Sequence, residues 1–158
     1  MLVSKIAENV SDLADDVVAA LKVDYVEFDN ETRLKRVQRV ASQGGTEIAL
    51  RLPNDFREIA DGDVLFRDDA NLVLAKILPT DVLVIRPRTI YEMGVVAHSL
   101  GNRHMQAQFF DKDSEFAGEV MVVRYDHTTE HFLDHVEVPY ERGDYVMPHA
   151  FRHAEHTH

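Results

Sequence analysis

The sequence predicts an α+β protein with two domains and a mobile, histidine-containing C-terminal tail. Three observations predict this organisation. Short alternating apolar segments separated by turn residues fill residues 1–78, which is typical of a small antiparallel β domain. Residues 79–145 show a β-α-β-β-α-β order of patterns. Residues 146–158 show no apolar period but contain four of the nine histidines, all of which lie from His98 onward.

Composition excludes several classes of protein. The chain has 158 residues of which 45% are hydrophobic, so it is able to bury a core. A net charge of −11 argues against nucleic-acid binding, which needs an excess of Lys and Arg. We find neither a membrane-spanning apolar run nor a signal-peptide pattern, and there is no cysteine to form thiolate metal sites. These features predict a cytoplasmic protein without membrane association.

In the N-terminal domain, alternation and turn residues predict six strands. Ser11 is a candidate helix cap between the first two strands. Arg33, Lys35, Arg36 and Arg39 form a basic group, which we interpret as a solvated strand face rather than a docking surface for an acidic partner. The predicted strands cover residues 2–6, 23–28, 34–40, 47–52, 64–66 and 72–78.

The second domain is predicted to be ferredoxin-like. A buried-type strand at residues 82–85 precedes a helix that begins at the capping box of Thr89 and Glu92 and ends near Gly101. Two strands follow, at residues 106–110 and 119–125, and Asp126 caps a second helix that runs to about His135. Residues 136–138, before Pro139, are predicted to form the last strand.

The second helix presents a row of histidines. On a helical wheel, Phe132 and Leu133 lie on one side, whereas His127, His131 and His135 lie one turn apart on the opposite side. A pair at this spacing on an exposed face can chelate a divalent metal ion. The same spacing also arises by chance on polar helix faces, so both interpretations stay open.

The tail is a further candidate for metal binding. Imidazole is a suitable ligand for Ni²⁺, Cu²⁺ and Zn²⁺. Histidine-rich segments commonly bind metal ions. The tail residues assigned to this role are His149, His153, His156 and His158.

Five segments of the sequence resemble a known family. They are residues 28–33, 47–52, 61–65, the helix end Leu100-Gly101-Asn102-Arg103-His104, and Met147-Pro148-His149. Together, in this order and spacing, they resemble the urease accessory protein UreE family over nearly the whole chain. The helix end is the most specific of these motifs.

The resemblance implies a nickel metallochaperone rather than an enzyme. It implies an N-terminal domain (1–78) of a peptide-binding type and a C-terminal domain (79–145) that binds metal and forms a homodimer. His104 from both subunits would hold one Ni(II), and the tail (146–158) would add imidazoles. The cargo would go to apo-urease through the urease accessory GTPase and the pre-activation complex, and Zn(II) or Cu(II) could bind the same sites. Some relatives carry a histidine where this chain has Ser99, so His98, displaced by one position, is not assigned that role.

Two other classes of function remain. A metal hydrolase could use His127 and His131, although no HExxH-type signature is present. A scaffold for protein interactions in urease maturation could carry histidines that bind metal only incidentally.

Overall fold

The structure is a computed structural model that describes residues 1–152. It forms two compact units, the first made of Met1–Pro79 with Val146–Ala150 and the second of Thr80–Tyr145 and the chain from Phe151. The predicted α+β class is confirmed, because both units combine strands with helices. No helix within residues 1–152 is long and apolar enough to cross a membrane.

The first unit contains two three-stranded sheets. The strands are β1 (Leu2–Val3), β2 (Lys22–Phe28), β3 (Val37–Ala41), β4 (Glu47–Arg51), β5 (Val64–Arg67) and β6 (Asn71–Ile77). One sheet has the order β1-β4-β3 and the other the order β2-β6-β5. Short helical turns at Val10–Asp12 and Thr32–Leu34 and a helix α1 (Asp15–Ala19) connect the strands.

Strand pairing in this unit is mixed rather than purely antiparallel. β3 with β4 and β5 with β6 are antiparallel, as expected for neighbours along the chain. β1 with β4 and β2 with β6 are parallel. Each parallel partner comes from a distant segment, so no tight turn dictates its direction, and periodicity alone does not reveal it.

Two local predictions in this unit were wrong. Asn9, not Ser11, caps the first helical turn, since its side chain accepts from the Ser11 N–H at 3.0 Å. The strand predicted from residue 34 begins only at Val37, because Asp29 accepts from the Thr32 N–H at 2.8 Å and starts a helical turn there. This turn carries Arg33 inward, where it is only 1% exposed, so Arg33 does not belong to a solvated basic face.

The second unit has the predicted ferredoxin-like order. The elements are β7 (Thr80–Ile85), α2 (Ile90–Asn102), β8 (Ala107–Phe110), β9 (Val120–Arg124), α3 (His127–Val136) and β10 (Tyr140–Tyr145). The sheet has the order β10-β7-β9-β8, with every pair antiparallel. Leu83, Met121 and Val123 of the sheet pack with Leu100 and Leu133 of the two helices.

The last strand lies later than predicted. α3 continues to Val136, and Glu137 then adopts a left-handed backbone conformation with φ 56°. The strand begins only after Pro139 and runs through Tyr145. Val136 and Val138 pack into the core of this unit at the end of the helix instead. A short apolar run in a sequence fits such a helix end as well as it fits a strand.

The beginning of the tail is packed, at least through residue 152. We expected a mobile segment from residue 146, but Met147, Ala150 and Phe151 are buried. The Arg124 guanidinium lies 5.6 Å from the Phe151 ring centroid. The buried residues of this segment are irregularly spaced, so the sequence shows no apolar period there. A segment without regular secondary structure can be buried without such a period. The tail histidines His153, His156 and His158 lie outside the described residues.

Candidate metal centre

His104 lies at the turn that ends α2. The Met105 N–H donates to the Leu100 carbonyl at 3.1 Å and the His104 N–H to the Gly101 carbonyl at 3.0 Å. These two bonds form a Schellman motif, in which the residue after the helix takes a left-handed conformation. Leu100 and Met105 pack in the same core cluster, as is usual for this motif. The helix thus ends near Gly101, as predicted, but the left-handed residue that terminates it is His104 and not the glycine.

The backbone of His104 is unusual for its residue type. Its φ is +58°, a conformation that favours glycine and costs other residues roughly 1–2 kcal/mol. Its side chain is exposed, whereas Met105 beside it is partly buried. The turn thus sends the next residue into the core and leaves the imidazole of His104 accessible to solvent. Ala117 and Glu137, the residue that follows α3, share this conformation, so the turn sets the direction of the chain and does not by itself mark a metal ligand.

The side chain of His98 contacts another side chain of its own helix. Its Nε2 lies 3.3 Å from the Asn102 side-chain amide nitrogen, one turn further along α2. The residue is exposed. This surface contact needs no metal.

The histidines of α3 face away from the core, as predicted. His127, His131 and His135 are exposed, whereas Leu133 is buried. The helix is tied to β10 because the Tyr140 hydroxyl donates to Asp134 at 2.7 Å. This hydrogen bond, with smaller effects of burial and of the Asp134 charge, raises the pKa of the Tyr140 hydroxyl to about 12. Exposure makes metal binding by His127 and His131 possible but does not test it.

The start of the tail is held by a buried arginine. The Arg33 guanidinium donates to the carbonyl oxygens of Ile59 at 2.9 Å, Met147 at 2.9 Å and Pro148 at 3.3 Å. The Ile59 N–H donates back to the Arg33 carbonyl at 2.9 Å. Three main-chain segments therefore meet around one side chain within the first unit. A planar guanidinium with five donors suits this geometry, which lysine does not reproduce.

His149 is held by a carboxylate in the same unit. Its Nδ1 lies 2.7 Å from Glu58 Oε1, and the Ala150 N–H donates to Glu58 Oε2 at 2.9 Å. The side chain of His149 is 72% exposed, but that of Glu58 is only 14% exposed. One oxygen of this largely enclosed carboxylate thus contacts the His149 ring, which remains accessible, and the other holds the main chain of the next residue.

The described residues 1–152 contain no ready-made metal cage. No group of three or more His, Cys, Asp or Glu side chains is arranged there to hold an ion. His104, His149 and the α3 histidines are instead each exposed to solvent. Each could be one ligand of a site that other histidines complete, since metal ions in proteins generally take four or more ligands.

Comparison with known proteins determines the family. The family profile described as "UreE urease accessory protein, N-terminal domain" matches residues 3–78. The urease accessory protein UreE of Corynebacterium urealyticum is 51% identical over 158 residues, with both chains covered completely. The chain belongs to the UreE family. UreE proteins of Arthrobacter sp. (50%) and Paenarthrobacter aurescens (51%) are similarly close, again with complete coverage of both chains.

The sequence did not reveal two residues that shape this structure. Arg33 was hidden in a basic run, where nothing distinguished it from its exposed neighbours Lys35 and Arg39. Glu58 lies in a stretch without regular secondary structure, 91 positions before its partner His149. The main-chain N–H and C=O groups of residues 146–150 need hydrogen-bond partners if they are buried. This requirement could have suggested that such partners exist, but it does not identify the residues that supply them.

Proposed function

We propose that this protein is a nickel-binding metallochaperone that delivers Ni(II) to apo-urease during assembly of its active site. Membership of a family of urease accessory proteins supports a role in urease maturation. The observation that carries the metal assignment is His104, an exposed imidazole held in a strained left-handed turn at the end of the family-like motif. Zn(II) or Cu(II) would use the same ligands, because imidazole does not discriminate against them.

The main site forms when two His104 side chains, one from each subunit of a homodimer, meet near the two-fold axis. A single imidazole holds a metal ion weakly, but a two-fold interface places the same surface against itself and doubles the ligand number. The second unit exposes large apolar side chains at Ile90, Tyr91 and Phe109, which supports association. In this proposal, residues 79–145 act as the metal-binding and dimerisation domain.

Additional imidazoles come from His149 and from the tail histidines His153, His156 and His158, with His127 and His131 as further candidates. Exposed histidines suit a carrier better than a closed thiolate cage, since they release the ion readily. The N-terminal domain, residues 1–78, serves docking to the urease accessory GTPase and the urease pre-activation complex in the cytoplasm. The protein itself catalyses no reaction.

Titration calorimetry with Ni(II) tests the proposal. His104→Ala should remove the tightest site from the binding isotherm while leaving the circular dichroism spectrum and the dimer mass intact. His98→Ala is the matched control, because it removes an exposed histidine of the same helix and should leave that site unchanged. Unaltered high-affinity binding in His104→Ala would overturn the assignment.

The alternatives give different results in the same experiments. A scaffold protein with incidental histidines would show no micromolar nickel binding in the wild type. A metal hydrolase based on His127 and His131 would turn over a substrate when loaded, and its activity would be lost in a His127→Gln, His131→Gln variant.

A further inference from the structure

His149 does not hang freely from the start of the tail. Four hydrogen bonds fix its surroundings within the first unit. Arg33 donates to the Met147 and Pro148 carbonyls, and Glu58 engages the Ala150 N–H and the His149 ring. The backbone on both sides of His149 is therefore fixed by side chains from the N-terminal part of the chain. A role of His149 as a metal ligand does not by itself require the contacts with Arg33 or with Glu58.

The contact with Glu58 determines which ring nitrogen carries the proton. A carboxylate offers only acceptors, so the 2.7 Å contact is a hydrogen bond when His149 Nδ1 carries hydrogen. In the neutral imidazole the proton is then on Nδ1, and the lone pair is on Nε2. Because the side chain is 72% exposed, an ion can approach this ring from solvent.

Metal-binding histidines commonly donate their second ring N–H to a carboxylate. That partner fixes the tautomer, orients the ring and raises the basicity of the ligating nitrogen. We propose that Glu58 is a positioning residue that prepares His149 to bind the transported metal ion through Nε2. This inference rests on the proposed metal-carrier function and adds a residue from the N-terminal domain to its machinery.

The alternative interpretation is a purely structural contact. In that case Glu58 would hold Ala150 and thereby the chain, and the His149 tautomer would not matter for metal binding. The two interpretations make different predictions for Glu58→Gln. In this variant the side-chain carbonyl still accepts from the Ala150 N–H, but the amide group donates to Nδ1. The proton of His149 is then on Nε2, which leaves that nitrogen without a lone pair for a metal ion.

The tautomer can be measured without any metal. We expect long-range ¹H–¹⁵N correlation spectra of the full chain at about pH 8, where imidazole is mostly neutral, to show His149 as the Nδ1–H tautomer. The signal is assigned by its absence in His149→Ala. Glu58→Gln should convert it to the Nε2–H tautomer, whereas Glu47→Gln, an exposed carboxylate on β4, should leave it unchanged.

Nickel binding provides the second measurement. Glu58→Gln should weaken the His149-dependent nickel affinity by about ten-fold or more, and should have no effect in a His149→Ala background. A wild-type spectrum dominated by the Nε2–H form, or a Glu58→Gln variant with unchanged affinity, would overturn the proposal. If the wild type binds no nickel, the proposed function itself fails, while the metal-free spectra still decide whether Glu58 sets the tautomer.

Discussion

The two described histidines at the centre of the proposed metal site, His104 and His149, are positioned by opposite means. His104 is placed by local backbone geometry, since the bonds that form its turn lie within residues 100–105. His149 is placed by side chains of residues 91 or more positions away, Glu58 and Arg33. The turn at His104 depends on a few neighbouring residues. The arrangement around His149 exists only when the first unit is folded, so its readiness to bind depends on the rest of that unit.

The largest expected effect follows from removing the anchor of the tail. Arg33→Met should lower the free energy of unfolding of the first unit by about 3 kcal/mol, because buried carbonyls lose their donor. Urea unfolding measures the loss, and hydrogen exchange should show faster exchange at the Ala150 amide. Arg39→Met, an exposed residue on β3, is the control and should change stability by less than about 0.5 kcal/mol.

The same variant separates the two histidines. Nickel binding that depends on His149 should weaken in Arg33→Met, whereas binding at His104 should persist, since the hydrogen bonds that form its turn lie within residues 100–105. A loss of stability below about 1 kcal/mol would mean that the guanidinium is not a major anchor.

A smaller effect of opposite sign is expected at His104. His104→Gly should raise the free energy of unfolding by about 1 kcal/mol, because glycine adopts the left-handed conformation without steric cost. His104→Ala retains that cost and should bring no gain. His98→Gly, in the interior of α2, should instead lower the free energy of unfolding by about 0.5 kcal/mol, because glycine is a poorer helix former than histidine. Denaturant unfolding of the three variants measures the differences, and a destabilised His104→Gly would show that the imidazole itself stabilises the turn.

The smallest expected effect concerns the hydrogen bond that ties α3 to β10. The histidines of α3 lie on the exposed face of a regular helix. The hydrogen bond to Asp134 raises the pKa of the Tyr140 hydroxyl to about 12, above its ordinary value of 10.0. Its contribution to stability is therefore complete below about pH 10 and is lost as the pH rises through about 12. Tyr140→Phe should remove one late step from the tyrosinate absorbance titration and flatten this alkaline loss of stability. Tyr91→Phe, which alters an 80% exposed side chain, should leave the late step in place.

The features that the sequence predicted correctly are those that depend on residues close to one another in the chain. The cap at Thr89, the order of elements from residue 80 to 145 and the exposed row of histidines on α3 were all predicted. Each depends on residues a few positions apart, whose spacing is visible in the chain. The last strand was misplaced because Val136 and Val138 fit a strand as well as a helix end.

By itself, the sequence determined the fold class, the family-like motif at His104 and the wealth of histidines in its second half. Only the tertiary structure decided that Arg33 is buried, that β1 pairs in parallel with β4 and β2 with β6, and that Glu58 holds His149. The physical reason is the same in all three cases. Hydrogen-bonding groups of one segment are satisfied by a distant segment, and which segment supplies the partner is settled only when the chain has folded.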